Sequence, residues 1–394
     1  MLRFLSAISA HTTNQMSIRP GQLSQKARQA LKKELVSSDD GIILKIPKVE
    51  LHVHIEGTLT PQLRWKLAQR HGVKPHFGNG NHEFKTLEDL ERAYDDVISS
   101  AQLPLSGQSD HLTTFFQAYY SGFQFLRTKR DFSDLAMDYF SRAAAMNVRY
   151  CEPFFDPQGH TSRGVSWADM MDGFKEAQEK AANELNIQSS WIMCFLRDQS
   201  PESAMDHYKA ALKYKDMIVG IGLDSNEHDR PPCLFEELFT LARRDGFKLT
   251  AHCDVGVKDT HCHIHQVAAT IAGSGLDRID HGLNAAEDAM LIDLIRHRGL
   301  AMTICPWAYL RRETYGSIAE RLRVLVDAGV KVCIASDSPV YMDDSWIIHN
   351  MLLAKRMGGF TDSEMCKMVR HSVEMSWAKP AVKLAIMQDI EAIL

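Results

Sequence analysis

The run Val49-Glu50-Leu51-His52-Val53-His54 sets two histidines two apart on a β-branched background. Successive side chains of a strand point to opposite faces, so this spacing aims both imidazoles the same way. Two converging imidazoles suit zinc, although such a pair by itself more often packs or faces solvent. Three other apolar runs end in residues of the same chemistry. His252 closes Leu249-Thr250-Ala251-His252, His281 closes Ile279-Asp280-His281, and Asp337 follows Ile334-Ala335-Ser336. Nitrogen and oxygen donors without a thiolate favour one zinc ion, with iron, cobalt or manganese as substitutes. Three histidines and a carboxylate leave room for a water that such an ion acidifies toward neutral pH, which makes hydrolysis the expected reaction class. Asp337 can then hold the metal and accept the water's proton, while His281 hydrogen-bonds the attacking oxygen.

Donors this far apart in sequence need a scaffold that gathers them. Short apolar, β-branched runs recur at 41–54, 147–155, 188–195, 217–223, 247–252, 277–281, 299–305 and 330–337. Between them, stretches such as 167–185, 234–244 and 318–328 place apolar residues three and four apart, the pattern of amphipathic helices. Strand and helix alternating through eight units predict an α/β fold in which a parallel sheet closes into a (β/α)8 TIM barrel. Active sites of that barrel lie at the C-terminal ends of its strands. His52, His54, His252, His281 and Asp337 all fall there, on strands one, five, six and eight. The first unit is oversized. A helical insertion after strand one, about 60–146, includes loop-like stretches at 77–83 and 104–109 and is expected above the barrel mouth, where it can cover a ligand. The expected organisation is a tail and helix over 1–40 and a single hydrolase domain over 41–394, with further helices from 361 onward.

Composition narrows the partners. Of 394 residues, 45% are hydrophobic and 24% charged, an ordinary globular balance that excludes collagenous, low-complexity and disordered chains. Lys plus Arg (45) against Asp plus Glu (50) gives a net charge of −5 without single-sign blocks, so nucleic acid is not an expected partner. No uncharged apolar run reaches the roughly 18 residues of a membrane span. Eight cysteines are too few for a disulfide scaffold, and Cys151, Cys194, Cys305 and Cys333 sit in apolar runs as small hydrophobes. A reducing, cytoplasmic setting fits. Residues 1–33 contain no acid and are rich in Ser and Thr, the composition of a mitochondrial transit segment; the plainer reading is a solvated tail leading into an amphipathic helix near 22–35. Oligomeric state has no signature in these patterns.

At these residues the chain resembles the adenosine and adenine deaminases of the amidohydrolase superfamily, most of all the adenine-deaminase branch, over about 45–378. The likeness is carried by Pro47-Lys48-Val49-Glu50-Leu51-His52-Val53-His54-Ile55-Glu56-Gly57-Thr58-Leu59, by Phe154-Phe155-Asp156-Pro157-Gln158 with Arg163-Gly164-Val165, by Val219-Gly220-Ile221-Gly222-Leu223-Asp224-Ser225-Asn226-Glu227, and by Asp280-His281-Gly282. The resemblance implies His52, His54, His252 and Asp337 as zinc ligands and His281 as the residue that activates and orients the water. It sets Ser225 and Glu56 near the edge of a purine. It also implies a zinc-dependent hydrolytic deaminase of a small heterocycle, adenine-like or otherwise 6-substituted.

The chain departs from the family at three points. Where relatives read His-Ala-Gly-Glu, with the glutamate as ring proton donor, this chain has His252-Cys253-Asp254-Val255. A strand period of two puts Asp254 on the side of His252, so it is the expected stand-in donor, one methylene short, unless it is a salt-bridged loop carboxylate. Where relatives pair two aspartates, the chain has Asp337-Ser338, which leaves Ser338 to meet a purine nitrogen without charge. In Cys305-Pro306-Trp307-Ala308-Tyr309 two large aromatics replace a small polar run, and Trp307 either walls the pocket or packs beneath the lid. The cluster His261-Cys262-His263-Ile264-His265 reads as a solvated helix start, since neighbouring helical positions do not share a face. The zinc signature of nucleic-acid deaminases and a phosphate-binding glycine loop are both missing. The metal half is thus kept and the substrate-reading half rewritten, which points to altered specificity. A non-deaminating metallohydrolase and a non-catalytic binding paralogue are the alternatives.

Overall fold

The computed structural model describes residues 21–77, 82–99 and 114–393; the loop expected at 104–109 and most of the transit-like segment lie outside the described residues. Its strands are β1 (Lys48–Glu50), β2 (His76–Phe77), β3 (His82–Glu83), β4 (Val148–Cys151), β5 (Phe154–Phe155), β6 (Gln188–Ser189), β7 (Trp191–Leu196), β8 (Ile218–Asp224), β9 (Lys248–Cys253), β10 (Arg278–His281), β11 (Ala301–Ile304) and β12 (Lys331–Ile334). One parallel sheet runs β12-β11-β10-β9-β8-β7-β5 and a second runs β1-β4-β6. The residues after β1 join its two ends. His54 N donates to Asp337 O at 2.9 Å and Asp337 N to His52 O at 3.1 Å on one side; Ile55 N donates to Phe154 O at 2.9 Å and Phe154 N to Val53 O at 2.8 Å on the other. The chain is a TIM barrel, and each of the eight apolar runs carries one of its staves.

Strands buried on both faces should be near-continuous apolar runs, and β7, Trp-Ile-Met-Cys-Phe-Leu, is buried throughout. The run at 41–54 is strand only in its second half. Asp40 caps Ile43 N at 3.1 Å and opens a helical turn, Gly41–Lys45, because an aspartate at the cap satisfies amides that a strand would leave to a neighbour. Cys151, Cys194, Cys305 and Cys333 are buried as expected, and all eight cysteines are free thiols. Among the described residues no helix is long and apolar enough to cross a membrane.

The insertion folds as helices Pro61–Arg70, Leu87–Ser99, Thr114–Phe123 and Lys129–Ala145. The loop expected at 77–83 is framed instead by the antiparallel pair β2–β3. Helix Lys129–Ala145 packs along helix Trp167–Glu184, and a Cβ at Gly173 would lie 2.4 Å from Lys129 O, so only glycine permits that approach. The N-terminal helix, Gln25–Ser37, is anchored by Arg28 Nε 2.7 Å from Asp343 Oδ2. Two more helices, Asp362–Met375 and Pro380–Glu391, follow position 361 as expected.

Candidate active site

The C-terminal ends of the strands bring four imidazoles together. Ring centroids lie 5.4 Å apart for His52 and His54, 4.7 Å for His52 and His252, 5.1 Å for His54 and His252, 4.6 Å for His52 and His281, and 4.9 Å for His252 and His281. Asp337 joins them, with Oδ1 3.6 Å from His54 Nε2 and Oδ2 4.0 Å from His281 Nε2. One donor atom from each of His52, His54 and His252 falls within 4.8 Å of the others. Nε2 of His52 and of His252 are buried without a hydrogen-bond partner, a costly arrangement that a cation would relieve. Burial, followed by the neighbouring imidazoles, pushes both rings well below the ordinary histidine range. They are therefore neutral, the form that ligates. Cys305 lies beside His52, His281 and Asp337, and burial pushes its thiol well up.

Three residues at the site have left-handed backbone. Ser225, His281 and Asp337 have φ of 71°, 62° and 66°, a left-handed conformation that costs a non-glycine residue roughly 1–3 kcal/mol and clusters at functional sites. Gly57, in the turn after β1, sits where a Cβ would come within 2.6 Å of Ser338 Cβ and Oγ. That contact brings the first and last strand ends together and leaves Ser338 only 2% exposed.

A wall of carboxyl groups adjoins the imidazoles. Arg163 Nη2 donates to His160 Nδ1 at 2.9 Å, so His160 Nε2 carries a proton and donates to Glu56 Oε1 at 2.9 Å. Asp156 N donates to the same oxygen at 3.1 Å. Glu56 Oε2, Asp156 Oδ1 and Asp224 Oδ1 remain buried without hydrogen-bond partners. Burial, then Asp224 and Glu56, pushes the Asp156 carboxyl well up, and burial pushes that of Asp224 up to about 8. Asp224 Oδ2 stands 3.4 Å from His54 Nδ1. The insertion reaches this wall through helix Thr114–Phe123: Tyr119 Oη donates to Asp156 Oδ2 at 3.1 Å, and Tyr120 Oη is 2.5 Å from Ser225 Oγ. Of these neighbours, Glu56 and Ser225 follow from the sequence motifs. Tyr119 and Tyr120 do not, because nothing in the helical pattern of the insertion says which face meets the barrel.

For Asp254 and Trp307 the sequence leaves two readings each. Asp254 is salt-bridged to Arg312. Its Oδ2 accepts from Arg312 Nη2 at 2.5 Å and its Oδ1 from Val255 N at 2.7 Å. Burial alone would raise its carboxyl, but Arg312, followed by His281, outweighs that and holds it below the ordinary carboxylate range. Trp307 does not wall the pocket. It is fully buried, with Nε1 donating to Asp343 Oδ2 at 2.8 Å and its backbone N to Asn350 Oδ1 at 2.9 Å, because Asp343 and Asn350 offer acceptors beneath the barrel mouth. Its neighbour Tyr309 faces His281 instead. The 261–265 cluster opens a short helix, Thr260–His265. His261 pairs with Glu287 at 3.1 Å at the surface, whereas His263 is buried against Glu227 at 3.4 Å. Glu227 acts as a positioning residue. It accepts Asp254 N at 2.8 Å and pairs at 3.2 Å with Arg197, which donates to His252 O at 2.9 Å.

A parallel barrel with imidazoles and a carboxylate gathered at its strand ends is the architecture of the metal-dependent amidohydrolases. The profile of the adenosine deaminase family matches residues 47–393, and the chain belongs to that family. It is 38% identical to an uncharacterized deaminase of Schizosaccharomyces pombe over 85% of this chain and 92% of that protein. It is 35% identical to an adenine deaminase of Rhodospirillum rubrum over 90% and 99%. The crystal structure of adenine deaminase from Arthrobacter aurescens superposes with a TM-score of 0.77 at 30% identity, covering 88% of this chain and 99% of that one. The protein is a hydrolytic deaminase acting on carbon–nitrogen bonds.

Proposed function

We propose that the protein removes the amino group, or a substituted amino group, from the 6-position of an adenine-like heterocycle, using one zinc ion held by His52, His54, His252 and Asp337. The observation that carries this reading is the pair of buried, partnerless nitrogens on His52 and His252 facing a third imidazole and a carboxylate. The donor set, nitrogen and oxygen without thiolate, suits zinc. Such an ion lowers the pKa of a water toward neutrality and polarises it for attack on an electron-poor ring carbon.

The protein's own groups do the rest. Asp337 stands between His54 and His281, where a free carboxylate oxygen takes the attacking water's proton and passes it to the leaving amine. His281 holds the attacking oxygen in line with the ring. The partnerless oxygen of Glu56 needs a donor, which an aminoheterocycle whose ring nitrogen carries hydrogen rather than a sugar supplies, while Asp156 and Asp224, pushed toward their protonated forms by burial, can donate to the ring as well as accept from it. Ser225, paired with Tyr120, closes that edge, and Ser338 meets the far side of the ring. Adenine fits, as the names of the relatives suggest.

Specificity is shifted where the glutamate donor is replaced. Asp254 and Arg312 act as one ion pair, so a hydrogen-bonding pair without net charge stands where the family's motif has an acid, which favours a substrate bearing an acceptor or exocyclic oxygen there. Asp254→Asn and Arg312→Ala are each expected to lower kcat/KM by about tenfold. The double variant is expected to lose no more than either single one, since groups acting through one pair are coupled. Losses that multiply would separate the two residues. The function itself is tested by zinc analysis together with ammonia release from adenine, adenosine, 6-substituted purines and oxo-substituted aminopurines. One zinc per chain with ammonia released from a free base supports the reading; bound zinc with no ammonia from any of them overturns it.

A further inference from the structure

His52 Nδ1 lies 2.9 Å from Thr303 Oγ1, and that hydroxyl donates to Asp280 Oδ1 at 2.9 Å. The other Asp280 oxygen accepts from Thr250 Oγ1 at 2.6 Å, and Arg278 Nε stands 3.6 Å from Oδ1. His52, Thr303, Asp280, Thr250 and Arg278 are all fully buried. A hydroxyl carries one proton and a carboxylate only accepts. Thr303 commits its proton to Asp280, so toward His52 it can only accept, and His52 must carry its proton on Nδ1. Nε2 is then a bare lone pair facing the other imidazoles, as a ligand nitrogen must be.

His281 is set the other way. Its Nδ1 is 3.0 Å from Tyr309 Oη, and that oxygen already accepts Cys305 N at 3.1 Å. A backbone N–H can only donate, so the phenol proton is directed at the remaining partner, His281 Nδ1, which must accept. The proton of His281 therefore sits on Nε2, the atom facing Asp337 Oδ2 at 4.0 Å.

We infer that these two relays sort neighbouring imidazoles into opposite roles, with Thr303 and Tyr309 as the positioning residues. Thr303, backed by Asp280, makes His52 a cation ligand. Tyr309, backed by the Cys305 amide, makes His281 a donor toward oxygen and keeps it from becoming a further ligand. The inference rests on the metal centre proposed above and deepens it, because identical side chains 4.6 Å apart are told apart only by what lies behind them.

The test is zinc affinity, by chelator competition on the zinc-loaded protein. Thr303→Val is expected to bind zinc about 10–100-fold more weakly, the usual cost of losing a partner behind a ligand. Thr303→Ser, which keeps the hydroxyl, should restore affinity to near wild type, and Tyr309→Phe, which acts behind a ring that is not a ligand, should not weaken it. A Thr303→Val protein with wild-type affinity, or a Tyr309→Phe protein as weak as Thr303→Val, overturns the assignment. The zinc-loaded wild-type protein supplies a second reading. Long-range 1H–15N spectra, assigned by the signals lost in His52→Gln and His281→Gln, should show protonated Nδ1 on His52 and protonated Nε2 on His281; the reverse at either ring overturns it. A wild-type protein that takes up no zinc defeats the metal centre itself, whereas uptake with an indifferent Thr303→Val defeats the relay alone.

Discussion

His252→Ala is expected to strip the protein of its metal and its activity together while leaving the barrel standing. His252 lies at the end of β9, and the hydrogen bonds that fix this strand end use its carbonyl and the Asp254 amide, not its ring. Its Nε2 has no partner in the protein, so removing the ring gives up no hydrogen bond there. What is lost is one of four proposed donors. A four-ligand zinc site is worth roughly 10–16 kcal/mol, so one ligand's share corresponds to about 10²–10³-fold in affinity. Ammonia release should fall in step with zinc content across a zinc titration, with the far-ultraviolet circular dichroism unchanged. A variant that keeps one zinc per chain and full turnover would remove His252 from the metal centre.

The second large effect is expected from the same residue type with the opposite signature. His281→Gln should retain zinc at wild-type stoichiometry and lose about 10²–10⁴-fold in kcat, the usual contribution of a positioned group that handles a proton or orients its acceptor, with KM little changed. The reason is geometric. His281 faces Asp337 and is held from behind by Tyr309, so its role is exercised on the oxygen that attacks the ring. Loss of zinc on this substitution would instead make His281 a ligand.

Much of this site is legible in the primary structure because it obeys short-range periodicities. The i, i+2 spacing of His52 and His54 needs only an extended backbone to aim both rings at one face, and eight apolar runs divided by helical stretches need only a closed parallel sheet to bring positions 252, 281 and 337 to the same mouth. The helical turn at Gly41–Lys45 was hidden because apolar residues ahead of a strand look the same whether they extend it or coil before it. Trp307 was ambiguous for a related reason. A large aromatic after a strand end can turn either way, and only the acceptors at Asp343 and Asn350 decide which.

Residue types and their order along the chain were thus enough to point to the barrel, to the imidazoles and carboxylate that meet at its mouth, and to a hydrolytic chemistry. The folded molecule alone decided which partner each side chain keeps: Thr303 behind His52 across 251 positions, Arg312 on Asp254 across 58, and Tyr120 of the insertion against Ser225 across 105. Periodicity is a property of neighbouring residues and survives in the linear chain. Hydrogen-bond partnership in a desolvated interior depends on distances of a few ångströms between segments that the linear order leaves unrelated.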